Sequence, residues 1–417
     1  METSDLAVLQ LAYSLDTFYF VMMAALVMFM AAGFAMLESG LVRAKNTTEI
    51  LVKNVLLYSI ACTCYFVLGY QLMYGGSGGG VLPTFGFGLS PENTLADIQG
   101  PDASYYSNAS DFLFQVVFVA TSMSIISGAV AERMKLWVFL LFAVPFTAIV
   151  YPLEGMWTWG GGWLSEIGFS DFAGSGIVHM AGAAGALAGV LLLGARKGKY
   201  TKDGRVNPIL GANMPVATLG MFILWFGWFG FNGGSQLQVS GLENANAFAL
   251  VIVNTNAAAC AGALGAAVLS ALMFKKTDLS MVINGALAGL VAITADPASP
   301  STLMACIIGA IAGMIVVASV MSFDRLRIDD PVGAISVHGV CGIFGLLMVP
   351  FSNADAGFGA QLVGIVAIFA WCFGASLVLW FVLDKVFGLR ISDEEEYNGI
   401  DITECGSPAY ADFMIRT

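Results

Sequence analysis

Two histidines are the residues of this sequence best suited to proton or ligand chemistry, and the chain holds only these two, His179 and His338. Both lie in apolar, glycine-rich sequence. A neutral imidazole offers one hydrogen-bond donor and one acceptor and exchanges its proton near neutral pH, so a histidine pair suits proton relay. Two histidines on different helices also serve as axial ligands of a haem. The plainer interpretation is that both are structural core residues.

A repeated motif surrounds the two histidines. Asp, Gly and Val precede each histidine at the same offsets, in Asp171-Phe-Ala-Gly-Ser-Gly-Ile-Val-His179 and in Asp330-Pro-Val-Gly-Ala-Ile-Ser-Val-His338. Asp is a favoured helix N-cap, so each motif is predicted to open a helix and to place its histidine about 12 Å along it. Either aspartate has two possible roles: it caps its helix, or it helps to bind a cation at a pore mouth.

The composition places these motifs in a membrane. Of the 417 residues, 58% are hydrophobic and only 11% are charged, whereas globular proteins average about 25% charged residues. A net charge of −12 argues against a nucleic-acid partner, which requires a basic surface. The cysteines show no metal-ligand spacing, and we expect neither a metal nor a cofactor.

The distribution of positive charge predicts the number of membrane spans. The Lys and Arg residues form short clusters, and the intervening stretches without positive charge are 54–132, 136–195, 206–274, 277–324 and 328–384. Each has room for two helices of about 20 residues, and the stretch before the first cluster has room for one. The positive-inside rule places the clusters in the cytoplasm. The sequence thus predicts an all-α polytopic membrane protein of eleven transmembrane helices, with the N-terminus outside and the C-terminus cytoplasmic.

This topology relates the two histidine motifs by inversion. His179 falls on the fifth helix, running inward, and His338 on the tenth, running outward, so both reach the bilayer midplane from opposite faces. Inverted repeats with a polar site at mid-membrane are typical of transporters, which favours a functional pair. The predicted units are a transmembrane domain at 1–390, with repeats at about 18–195 and 206–350 and a last helix at about 359–388, and a cytoplasmic tail at 391–417.

With these motifs the sequence resembles the ammonium transporter family (Amt, Mep and Rhesus proteins). Besides the histidine motifs, the resemblance rests on Ala32-Gly-Phe-Ala-Met-Leu-Glu-Ser-Gly40, Ala131-Glu-Arg-Met-Lys135, Trp225-Phe-Gly-Trp-Phe-Gly-Phe-Asn-Gly-Gly-Ser235 and Val337-His-Gly-Val-Cys-Gly342. It implies eleven helices in two inverted halves and a homotrimer with one pore per subunit. It also implies uptake of ammonium, ammonia and methylammonium through the plasma membrane without enzymatic activity, and a PII-type regulator at the tail.

The resemblance also assigns residue roles. His179 and His338 correspond to the twin pore histidines. The outer ammonium recruitment site corresponds to Trp159, Phe118 and Ser235, with Asp171 below it, and the pore gate to Phe118 stacked on Phe231.

A mechanism follows from the chemistry of the cargo. Ammonium and potassium carry the same charge, and an apolar pore without ligands excludes both bare ions. Ammonium differs because it can lose a proton and cross as neutral ammonia. We therefore expect deprotonation near the phenylalanine gate, passage of ammonia along the histidine pair, and a proton that follows by a separate or shared polar path.

Two alternatives to a transporter stay open. The first is an ammonium sensor with little flux, in which a signalling domain would follow Thr417 in a longer protein. The second is a membrane redox protein in which both histidines ligate a haem.

Overall fold

The structure is a computed structural model that describes residues 3–76, 80–100 and 103–411. Within these ranges the regular elements are helices, which confirms the predicted all-α class. In chain order the helices of the bundle are α1 (Asp5–Leu41), α2 (Ala44–Tyr74), α3 (Asn108–Ala129), α4 (Leu136–Glu166), α5 (Ser175–Leu193), α6 (Met214–Gly234), α7 (Leu242–Phe274), α8 (Leu279–Thr294), α9 (Thr302–Arg325), α10 (Ile335–Phe351) and α11 (Phe358–Phe387).

Nine of these helices in the described ranges are long and apolar enough to cross a bilayer, whereas α8 and α10 are shorter apolar helices. The polytopic membrane class is therefore confirmed, and the number of eleven crossings stays a prediction. The first of the stretches without positive charge begins at residue 54, whereas α2 already begins at Ala44 and therefore includes Lys53, which is buried. Its ammonium group is 3.6 Å from Glu49, one helical turn earlier, and this pairing makes the burial possible.

Local sequence defines several helix starts. The side chains of Ser107, Asp278 and Ser301 accept hydrogen bonds from backbone N–H groups in the first turns of α3, α8 and α9. Each bond satisfies a donor that the first turn of a helix leaves without a partner. These caps fix where the three helices begin.

The two helices that carry the histidines begin in a less common way. Gly174 and Gly333, three residues after the aspartate of each motif, adopt left-handed φ angles of 104° and 82°. Each helix then contains a π-turn, Ser175–Met180 in α5 and Ile335–Val340 in α10. A π-turn shifts the phase of the side chains and often occurs at functional sites. The repeated motif therefore encodes a repeated backbone shape.

Small residues let α7, α8 and α9 pack closely. Gly262 of α7 faces Gly285 of α8 and Gly313 of α9, and a Cβ atom on Gly313 would lie 2.0 Å from the carbonyl oxygen of Gly262. Such faces allow the backbones of membrane helices to approach each other. The small-residue pattern of the sequence thus becomes a helix–helix contact.

A buried ion cluster holds the loops around α5 and α10. Arg196 pairs with Asp329 at 2.9 Å and with Glu132 at 3.0 Å, and Arg43 pairs with the same Glu132 carboxylate at 2.8 Å. Burial alone would raise the pKa of Asp329, but the hydrogen bonds and charge of Arg196 outweigh it and hold that pKa well below its usual range. The pKa of Glu132 is lowered in the same way, because Arg196 and Arg43 overcome its burial. The cluster therefore stays ionised at neutral pH.

The C-terminal tail packs against this end of the bundle, which we call the tail end. Its helices are α12 (Asp393–Asn398) and α13 (Ile400–Cys405). Glu396 accepts the backbone N–H of Lys197 at 2.6 Å and pairs with Arg390 at 2.5 Å. The described part of the tail is thus bound to its own chain, and residues 412–417 of the predicted tail lie outside the described residues.

Candidate functional site

The starts of α5 and α10 bring the two histidines into contact. Nδ1 of His338 lies 3.2 Å from Nδ1 of His179. His179 is fully buried and His338 retains 4% exposure. Among the described residues, Nε2 of His179 has no hydrogen-bond partner. Because a buried polar atom without a partner is costly, this nitrogen is suited to a small polar ligand.

A column of aromatic rings leads to the pair from the end of the bundle opposite the tail. Phe118 of α3 stacks on Phe231 of α6 with 4.0 Å between ring centroids, and Phe231 stacks on His179 at 5.3 Å. Both phenylalanines are buried. The structure therefore places the two rings, assigned as a gate by resemblance, in one closed stack against His179.

A cavity of about 250 Å³ lies on the other side of Phe118, and we call it the vestibule cavity. Phe118, Trp159 and Ser235, the three residues assigned to recruitment with Asp171, all line it. Trp159 meets Phe118 edge to face at 5.9 Å. Its Nε1 donates to the backbone carbonyl of Asp171 at 3.0 Å, which fixes the indole orientation. Three distant segments of the chain thus converge on one cavity.

The polar chemistry of the vestibule cavity suits a cation that carries N–H groups. The hydroxyl of Ser235 donates its proton to the carbonyl of Phe231 at 2.9 Å. A hydroxyl has one proton, so Ser235 can only accept further hydrogen bonds. The face of Trp159 attracts cations through its ring quadrupole. The cavity therefore offers both an acceptor and a cation-binding surface.

The carboxylate of Asp171 accepts hydrogen bonds from the backbone at the start of α5. Its two oxygens accept hydrogen bonds from the four N–H groups of residues 174–177 at 2.8 to 3.1 Å. Asp330 accepts two corresponding bonds, from Gly333 at 3.1 Å and Ile335 at 2.7 Å. Asp171 does not belong to the described residues that line the vestibule cavity. This geometry favours the capping role for both aspartates.

Sequence reasoning did not identify a second acidic residue, Asp111 of α3, which lines the vestibule cavity. Its Oδ2 accepts a hydrogen bond from Tyr70 at 2.6 Å, and Gln115 Nε2 lies 3.4 Å from its Oδ1. Asp111 precedes Phe118 by seven residues, so both lie on the same face of α3. That spacing was the signal that could have identified Asp111.

The role of Trp228 was also missed. Its ring covers His179 with 5.1 Å between centroids. Its Nε1 donates to the hydroxyl of Thr294 at 2.8 Å, and this hydroxyl lies 3.0 Å from Oδ1 of Asn232. The polar network between α6 and α8 thus fixes the indole that holds His179 in place.

Two cavities continue from the pair toward the tail end. The first, which we call the connecting cavity, has a volume of about 20 Å³ and is lined by His338. The second, the tail-end cavity, has a volume of about 390 Å³ and is lined by Arg196 and Asp330. Asn284 and Val332 line both cavities. The vestibule cavity, the phenylalanine stack, the histidine pair and these two cavities therefore lie in series.

The geometry of the pair does not fit a haem. The two axial ligands of a haem bind the iron from opposite faces of the macrocycle. Here the two Nδ1 atoms are within hydrogen-bonding distance of each other, and the rings of Trp228 and Phe231 pack on His179. No macrocycle fits between the two imidazoles in this arrangement.

Comparison with known proteins gives a consistent result. Residues 18–410 match the sequence profile of the Ammonium Transporter Family. The chain is 40% identical over 420 residues to ammonium transporter Amt2 of Archaeoglobus fulgidus, across 93% of this chain and 86% of that protein. It is also 40% identical over 411 residues to a putative ammonium transporter of Synechocystis sp., across 97% of this chain and 91% of that protein.

Solved structures agree with the sequence comparison. A structure described as a sensor Amt protein matches with a TM-score of 0.87 and 35% identity, covering 95% of this chain and 99% of that one. The structure of Mep2 from Candida albicans matches with a TM-score of 0.81 and 28% identity, covering 96% of this chain and 91% of that one. With a profile match over nearly its whole length and relatives of 40% identity, the chain belongs to the ammonium transporter family, whose members are transporters rather than enzymes.

Proposed function

We propose that this protein binds ammonium in the vestibule cavity and conducts it past the histidine pair as neutral ammonia. The observation that carries the proposal is the closed stack of Phe118 on Phe231, which separates a cation-binding cavity from the free Nε2 of His179. Such a path offers a bare cation no continuous set of oxygen ligands. It does offer a proton acceptor and an apolar passage for a neutral molecule.

Recruitment relies on groups of different kinds in the vestibule cavity. Trp159 contributes its ring face and Ser235 an acceptor oxygen. Asp111 adds a carboxylate in the same cavity, which offsets part of the cost of removing water from the ion. Asp171 acts indirectly, because its carbonyl fixes the indole of Trp159.

The gate and the pair act on the proton. If His179 donates from Nδ1 to His338, its Nε2 is free to accept a proton from ammonium at the phenylalanine stack. Ammonia then passes the buried rings as a neutral molecule. Potassium has no proton to lose and meets the full cost of an unliganded charge, so deprotonation supplies the selectivity.

The setting of the site follows from the charge pattern and the resemblance. The positive-inside rule supports a plasma-membrane orientation with the N-terminus and vestibule cavity outside and the tail end in the cytoplasm. The resemblance supports methylammonium as a second cargo, a homotrimer with a pore in each subunit, and a PII-type regulator at the tail. The two inverted repeats and the domain limits at residues 390 and 391 belong to the same proposal.

An ammonium sensor is the second candidate. The match to the structure described as a sensor Amt protein, at a TM-score of 0.87, is consistent with this candidate but does not favour it over transport. A sensor would use the same vestibule cavity but would carry little flux through the stack.

Purified protein in liposomes separates these functions. We expect ammonium pulses to produce a current and potassium pulses to produce none, and we expect the current of the His179→Ala/His338→Ala variant to fall by roughly a hundredfold or more. A pH-sensitive dye inside the liposomes distinguishes electroneutral ammonia conduction from no conduction. Ammonium binding without current or pH change would show a sensor, and a current with potassium would overturn the proposed selectivity.

A further inference from the structure

A buried acidic residue, Glu38 of α1, lies on the tail side of the histidine pair. Its side chain is 1% exposed and lines the connecting cavity together with His338. Oε2 accepts a hydrogen bond from the hydroxyl of Ser127 at 2.7 Å. Oε1 is buried and has no hydrogen-bond partner among the described residues. The side chain of Asn54 is a further polar neighbour of this carboxylate, and Oε1 keeps the capacity to accept a hydrogen bond next to the pore.

The connecting cavity has the size of a single small molecule. Its volume is about 20 Å³, and one water molecule needs roughly 10–15 Å³ by this measure. Asn284 and Val332 line it together with the tail-end cavity. A water or ammonia molecule in the connecting cavity would lie between His338 and Glu38, with the tail-end cavity next to it.

The surroundings of Glu38 allow its charge to change. Lys53 of α2 is a cationic residue that acts on Glu38, and its ammonium group lies 3.4 Å from the carbonyl of Ser127. Lys53 also lies 3.6 Å from Glu49, and the carboxylate of Glu49 repels that of Glu38. His338 is the titratable group across the cavity. Among the described residues, Glu38 forms no ion pair that would fix it in the ionised form.

We propose that Glu38 is the proton-transfer group on the tail side of the histidine pair. The proposal rests on the proposed function, in which a proton from ammonium reaches the pair. His338 releases that proton through a water molecule in the connecting cavity to Oε1 of Glu38, which becomes a neutral carboxylic acid. The acid then gives the proton to the ammonia molecule that has passed the pair. The carboxylate is restored, and ammonium leaves through the tail-end cavity.

The proposal assigns the proton and the ammonia to one exit. Each cycle moves one ammonia and one proton, so one positive charge crosses with each nitrogen. Glu38→Gln preserves the shape of the side chain and an oxygen that accepts from Ser127, but an amide does not carry the exchangeable proton. This substitution therefore removes the proton step and retains the packing.

The test measures ammonium-evoked charge movement in liposomes at lumenal pH values from about 5 to about 8. Glu154→Gln is the matched control, because Glu154 is also a buried glutamate, neither of its oxygens has a hydrogen-bond partner among the described residues, and it lines neither the connecting nor the tail-end cavity. We expect Glu38→Gln to lose roughly a hundredfold of the current, the size of a typical acid–base contribution. We expect Glu38→Asp to keep part of the current with a shifted pH profile, and Glu154→Gln to behave as wild type.

The outcomes separate this proposal from the proposed function. If the wild-type protein produces neither current nor pH change, the proposed function fails and this proposal with it. If the wild type conducts and Glu38→Gln matches its current and pH profile, only the role of Glu38 is overturned. Elution and thermal unfolding are compared for every variant. If Glu38→Gln does not fold, an unchanged pH profile in Glu38→Asp overturns the role instead.

Discussion

The Nδ1 atoms of His179 and His338 lie 3.2 Å apart. A neutral imidazole carries its proton on only one nitrogen, so one ring must donate from Nδ1 while the other accepts there. A proton that arrives on the outer nitrogen of one ring therefore displaces the shared proton toward the other ring. The two histidines form one proton-exchange unit rather than two independent sites.

Because the two histidines act as one proton-exchange unit, we expect single and double substitutions to lower the ammonium current by almost the same factor. His338→Ala removes the acceptor for the shared proton, and we expect the ammonium current to fall by roughly a hundredfold or more. The His179→Ala/His338→Ala variant should fall no further, because residues that act as one unit are not additive. Currents in liposomes at matched protein density measure this. If the loss of current in the double variant equals the product of the losses in the two single variants, the two histidines are not coupled.

Substitution of the two motif aspartates by asparagine should lower the free energy of unfolding by different amounts. Asp171 accepts four backbone hydrogen bonds and Asp330 accepts two. Asparagine keeps one acceptor oxygen and turns an NH₂ group toward the remaining donors. Since a hydrogen bond to a charged group contributes about 1.5–3 kcal/mol, we expect Asp171→Asn to destabilise by about 3 kcal/mol and Asp330→Asn by less. Thermal unfolding in detergent gives the order of the two, and the reverse order would rule out this account of the caps.

The sequence was informative where chemistry and spacing repeat. The match between the two motifs predicted that His179 and His338 belong together, and they are in contact. The placement of Phe118, Trp159 and Ser235 around one cavity was available only through resemblance, because these residues come from three separate helical segments. Their roles remain proposals.

Other features were not predictable from local patterns. The π-turns of α5 and α10 follow the left-handed Gly174 and Gly333 of the repeated motif, but a glycine in a sequence permits a left-handed φ without requiring it. Asp111 was overlooked because an aspartate in the first turn of a helix is ordinarily a surface or capping residue. The burial of Lys53 inside α2 was not predicted from its positive cluster, because the spacing of Glu49 and Lys53 suits an ion pair on an exposed helix as well as on a buried one.

The tail-end ion cluster predicts a specific pH dependence of stability. The pKa of Asp329 is lower in the folded chain than in the unfolded chain, where it is about 3.9. Its stabilising contribution is therefore complete above that unfolded value and is lost as the pH falls toward the lower folded value. We expect the unfolding temperature of the wild type to drop more steeply below about pH 4 than that of Asp329→Asn.

At neutral pH, Asp329→Asn should cost about 3–5 kcal/mol, because Glu132 is then the one ionic partner that Arg196 keeps among the described residues. Asp393→Asn is the control, since its ion pair with Lys197 is exposed to solvent and such pairs contribute little. Unfolding temperatures of both variants across acidic pH measure the difference. Parallel pH curves for the wild type and Asp329→Asn would show that this carboxylate does not govern acid stability.

The last prediction concerns Asp111, the carboxylate of the vestibule cavity. Asp111→Asn removes a negative charge beside the cation site and keeps the side-chain volume and an acceptor for Tyr70. Near a protein surface, charges a few ångströms apart interact by about 1 kcal/mol or more. We therefore expect the ammonium concentration for half-maximal current to rise about three- to tenfold, with a smaller change in the maximal current.

Asp97→Asn is the matched control, because Asp97 is an exposed aspartate that precedes α3. Its Oδ2 accepts a hydrogen bond from the hydroxyl of Thr94 at 2.6 Å. It does not belong to the described residues that line the vestibule cavity, so its half-maximal concentration should match that of the wild type. A rise in both variants would indicate a general effect of surface charge on ion attraction. A rise in neither would show that Trp159 and Ser235 bind the cation without help from a carboxylate.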